Sequence, residues 1–127
     1  MFTSRDYILR QIHVLSQALA TVIGKRDRLT LAELERVMSD AIESVTGTDL
    51  SHFRRLSRQE LHELLAKDGY VNSELAVALA DLLSADEHPA VRERAAWLYE
   101  AALEAGGAVP YDIADRLARL RNSQATD

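Results

Sequence analysis

The chain contains no cysteine, so disulfides, thiolate metal sites and a cysteine nucleophile are all excluded. Turn-makers are scarce too: 5 glycines and 2 prolines stand among 127 residues. Alanine and leucine contribute 19 each, and strong helix formers with so few breakers predict an all-α domain. No apolar run approaches the ~18 residues of a membrane span. An overall basic excess is missing as well: 15 basic residues face 20 acidic ones, for a formal charge of −5, which argues against nucleic-acid binding through a broad basic face. The opening MFTSRDYILRQIHVLSQ lacks the basic, apolar and small-residue order of a signal peptide, and the expectation is a cytoplasmic protein. Strand signals are absent, with no sustained alternation and no Asn-Gly or Asp-Gly hairpin between β-branched runs.

What is present fits one soluble domain over residues 1–127. Apolar residues make up 47 % and charged residues 28 %, an ordinary balance at the modal size of a single domain. The charge is unevenly spread. Residues 1–28 carry a net +3 and the remainder −8, so this N-terminal amphipathic helix and its basic connection have an acidic body, or an acidic partner, to dock against.

Periodicity places six to seven antiparallel helices in a bundle. Ser4 caps a first helix that reaches Gly24, with Ile8, Ile12, Leu15, Leu19 and Val22 forming a heptad-like seam. Two to three heptads do not stand alone in water, so the seam must bury itself on its own domain or on another chain. Thr30 with Glu33, and Ser57 with Glu60, are capping boxes opening further helices. A short helical turn is expected around Leu50 and Phe53, and the helix from Ser57 should stop at Gly69. Asn72 or Ser73 caps the next helix. Pro89 suits a first helical position after His88, Gly106-Gly107 ends that helix, and Pro110 opens the last, with NSQATD fraying.

Catalytic motifs are missing. His62-Glu63 begins like a zinc-protease pattern, but the second histidine position is Ala66. His52, Glu60, His62 and Glu63 match no ligand spacing, and exposed helix-surface side chains are the simpler reading. Arg54-Arg55-Leu56-Ser57-Arg58 resembles a phosphate grip or kinase site, yet Ser57 is already required as a helix cap. No cofactor is implied.

Trp97 is more informative. On a wheel of 100° per residue from Val91, Ala95, Leu98, Tyr99, Ala102 and Leu103 fall between about −20° and 120°, the expected core stripe. Trp97 falls near 240°, beside Glu93, Arg94 and Glu100. Burial by a neighbouring helix, self-association and partner anchoring all account for that position, and Arg94 is spaced to stack on the ring.

Ala95, Tyr99, Ala102 and Leu103 resemble the A-x-x-x-[FY]-x-x-A-L signature of the second helix of a tetratricopeptide repeat, over roughly residues 72–122. Helix-ending glycines at Gly47, Gly69 and Gly106 are not spaced at the repeat's constant interval of ~34. The segment DYILRQIHVLSQALATVIG also resembles an uncharacterised family of small bacterial helical proteins. The resemblance implies a short helical-hairpin array that binds proteins through a concave face. Three functions are thus expected from the sequence. The first is a non-catalytic protein-interaction module using Trp97, Arg94, Glu93 and Glu100. The second is a structural homodimer through Ile8, Ile12, Leu15 and Leu19. The third is a small helical enzyme or metal-binding protein. The expected partner is another protein or the chain itself, with no nucleic acid and no membrane.

Overall fold

The computed structural model describes residues 4–66, 71–106 and 109–125, and among these every regular element is helical. In chain order the helices are α1 (Ser4–Gly24), α2 (Leu31–Thr46), α3 (Leu50–Phe53), α4 (Arg58–Leu65), α5 (Ser73–Leu83), α6 (Pro89–Ala105) and α7 (Ile113–Ala125).

Local chemistry sets most of these boundaries. Both capping boxes form: Thr30 accepts from the Glu33 amide and Ser57 from the Glu60 amide, while each glutamate reaches back to its cap's own N–H. That back-bond from Ser57 holds the Glu60 carboxyl below its usual range. Asp49 caps α3 and Asn72 caps α5. His88, just ahead of Pro89, caps α6, its Nδ1 accepting from the Ala90 amide. Two ends differ from the sequence expectation. Residues 110–112 form a turn closed by the Ile113 amide on the Pro110 carbonyl, so α7 starts three residues late. At its other end α7 continues to Ala125, into the segment expected to fray. Gly69, the expected stop of α4, lies outside the described residues, and the helix proper ends at Leu65.

Gly47 closes α2 in the left-handed region at φ 75°, with open space where a Cβ would stand. Gly47→Ala is therefore expected to cost about 1 kcal/mol through backbone strain alone. Gly24 also has open space but no positive φ, so Gly24→Ala should be neutral or stabilise by up to about 1 kcal/mol. Thermal melts of the two variants would be compared; equal shifts in the same direction would contradict this.

One contiguous apolar core draws on all seven helices. The α5–α6 hairpin has the most extensive contact, α1 lies against both α2 and α5, and α7 packs on α6. The α1 seam is turned inward: Leu15 is 0 % exposed, Val22 is buried, and Ile8, Ile12 and Leu19 are half-buried against the same core. The Gln11 amide closes that contact by donating to the Val45 carbonyl at 3.1 Å.

Candidate functional site

The residues that the sequence singles out around Trp97 are mostly engaged within the chain. Arg94 is only 9 % exposed. It donates to the Leu56 carbonyl at 2.7 Å and to the Ala90 carbonyl at 3.0 Å. Its guanidinium also lies 4.7 Å from the centre of the Trp97 ring, and Trp97 itself is half-buried against the core. Glu100 accepts from Arg58 of α4 and Arg121 of α7 and so ties three helices together. Glu93 remains exposed. The buried arc of α6 is accordingly wider than the wheel predicts, since the α3–α4 connection covers its second side. Leu103, placed in the core stripe by the wheel, is 43 % exposed.

The histidine-bearing segment brings no ligand set together. His52, Glu60, His62 and Glu63 are all exposed, Glu60 serves the cap, and Glu63 accepts from Gln59. Among the described residues no group of three histidine, aspartate or glutamate side chains is placed to hold a metal ion. The arginines beside Ser57 diverge: Arg54 faces Glu35 and Asp86, whereas Arg58 faces Glu100 and Glu104.

A different place in the fold is open. Two adjoining cavities, of about 330 and 580 Å³, run along the groove beside α5 and share Leu19, Asp81 and Arg116. From α1 come Ile12, Ser16, Leu19 and Ile23, and from α5 Glu74, Val77, Ala78 and Asp81, with Ser84 and Ala85 just past its end. Each set recurs at three- and four-residue steps, so one stripe of each helix lines the trough. Eleven residues at 1.5 Å each make it about 16 Å long. Tyr99 and Arg92 of α6, with Pro110, Arg116, Arg119 and Leu120, complete it.

Asp81 is the polar hub of this trough. It accepts from the Tyr99 hydroxyl at 2.5 Å and from Arg116 Nη1 at 3.1 and 2.9 Å, fastening α5 to α6 and α7. Arg116 Nε also donates to Asp112 at 3.2 Å. Partial burial opposes the charge on Arg116, but Asp112 and Asp81 outweigh it and leave its pKa raised. Burial and then the Asp81 hydrogen bond push the Tyr99 phenol well above its ordinary value. Tyr99 is thus held as a neutral donor to Asp81 near pH 7.

A raised phenol pKa makes stability pH-dependent in one direction. Below about pH 10 the phenol is protonated in both folded and unfolded chains, and its contribution is complete. Above that the unfolded phenol ionises first, so stability falls as pH rises toward the folded pKa. Tyr99→Phe should flatten this alkaline slope in urea titrations at pH 9 to 11; an unchanged slope would contradict the assignment.

The comparisons with known proteins add no family: no protein-family model, no curated protein and no solved structure matches the chain. None of the described helices is long and apolar enough to cross a membrane.

Proposed function

We propose that this chain is a non-catalytic protein-interaction module whose docking surface is the trough along α1 and α5. The observation that carries the reading is a helix-length groove with a fixed polar floor, whose apolar walls include Ile12 and Leu19 of the α1 seam. A groove of this length with apolar walls suits the apolar face of a partner helix. On the tetratricopeptide-like reading, the helices would alternate as first and second members of hairpins. The α1–α2 and α5–α6 pairs are hairpins, α1 lies on α5, and α7 follows in the place of a third first-helix. All three first-helices contribute to the trough. That is the face through which the resemblance implies partner binding, and the intervening α3 and α4 lengthen the spacing between hairpins.

A homodimer through α1 would have to use Ile12 and Leu19 at the trough, because Leu15 is fully covered by its own chain. A metal-dependent reading has no donor cluster among the described residues.

Selection from a displayed library of helical peptides tests the proposal. Ser16 is exposed and lines the trough, so Ser16→Trp should block it without disturbing the core. Peptides retained by the wild-type chain and lost with Ser16→Trp are the expected result. Failure to enrich any peptide, or enrichment indifferent to Ser16→Trp, would overturn it.

A further inference from the structure

We infer that the occupant of the trough is an acidic amphipathic helix of a partner protein, of about three turns, with its carboxylates on Arg26, Arg92 and Arg119. This rests on the docking role of the trough and names the chemistry of what docks there.

The larger cavity is cationic in an acidic molecule. Arg26, Arg92, Arg116 and Arg119 line it, against Asp81 as its one carboxylate, while the whole chain carries −5. Asp81 is occupied by Tyr99 and Arg116 and offers nothing to the other three arginines. Those three are held by backbone carbonyls instead. Arg26 donates to Ala85 at 3.1 Å, Arg92 to Ser84 and Asp86 at 3.0 and 3.3 Å, and Arg119 to Asp115 at 3.4 Å. Among the described residues none of the three forms an ion pair. A guanidinium carries five N–H donors, so one or two carbonyl bonds fix its position and leave most of its donors for a carboxylate. Arg26 and Arg92, held at 3.0 to 3.3 Å, lose less entropy on binding than free side chains would.

The walls call for apolar groups between those carboxylates. Leu19 and Leu120 are partly or fully buried at the groove, and Ile23 stands at its rim, 65 % exposed. The stripes of α1 and α5 run alongside for about 16 Å, the length of three helical turns. Glu74 sits at the opposite end, so the partner's carboxylates belong at the Arg92 end and its less charged turn beside Ile12. A phosphate-rich strand would use the arginines but leave these apolar walls unpaired.

The probe is a synthetic helical peptide with leucines at i, i+4 and i+7 flanked by glutamates. Its twin carries lysine at every glutamate, and binding is read by fluorescence anisotropy. The acidic peptide should bind saturably, at least ten-fold tighter than the lysine twin, and weaken as salt rises. Arg92→Glu with Arg119→Glu should reduce its affinity by a further ten-fold or more. Arg26→Glu, in an exposed connection, should weaken it in the same direction even if the double variant proves unstable. Equal binding of the two peptides, displaced by Ser16→Trp, would overturn the acidic occupant and leave the docking role standing. Binding of neither, while library-selected peptides still occupy the trough, would have the same meaning. Displacement by a single-stranded oligonucleotide at lower concentration than by the acidic peptide would point to phosphates and overturn the proposal.

Discussion

Leu15→Ala is expected to remove about 2–5 kcal/mol of stability, by an amount that does not change with protein concentration. Leu15 is among the largest fully buried side chains, and α1 carries it into the contact with α2 and α5. Truncation forfeits the transfer free energy of the lost carbons and leaves a cavity that close-packed neighbours fill only in part. Leu9, on the same helix but 45 % exposed, should lose about 0.5 kcal/mol or less on the same change. Urea denaturation at two protein concentrations separates this from an intersubunit seam, whose unfolding midpoint would rise with concentration. A small loss at Leu15, or a midpoint that moves with concentration, would contradict the internal packing of α1.

Arg94→Met should cost about 2–4 kcal/mol, a large effect for a residue on a nominally polar face. Methionine keeps much of the aliphatic stem, so the loss isolates the guanidinium. The Leu56 carbonyl, which accepts from Arg94 at 2.7 Å in buried surroundings, would be left without that donor, and an unmatched buried acceptor bears its full desolvation cost. The stack on Trp97 at 4.7 Å would go as well. Because this bond fastens the α3–α4 connection to α6, amide exchange should accelerate first across residues 50–65. Trp97 fluorescence gives a second readout of the same event. A loss below about 0.5 kcal/mol would place Arg94 among ordinary surface residues.

The same bond explains where the sequence was legible and where it was not. Helix starts depend on neighbours three residues apart, so Thr30 with Glu33 and Ser57 with Glu60 announced themselves, and both boxes are formed. Pro89 and Gly106 marked the ends of α6 for equally local reasons. A helical wheel, by contrast, reports one helix and knows nothing of what covers it. It put Trp97 and Arg94 on the polar side of α6; the connection carrying Leu56, 38 residues away in sequence, lies over that side. It put Leu103 in the core, where the last turn of α6 leaves it 43 % exposed.

The trough was missed for the same reason. Ser16, Asp81, Arg92 and Arg119 come from four helices, and no short motif unites them. A weak signal did exist. Arg26 and Arg92 have no acidic residue three or four positions away on either side, whereas Arg116 has Asp112 and Arg119 has Asp115. Arginines with no local partner are the ones to follow into three dimensions.

Backbone amide shift mapping of the isotopically labelled chain with a trough-selected peptide tests the docking surface most directly. Perturbations are expected at Ser16, Leu19, Ile23, Asp81, Arg116 and Arg119, and they should vanish with Ser16→Trp. Shifts centred instead on Glu93, Trp97 and Glu100, or on the exposed side of α2, would contradict the account.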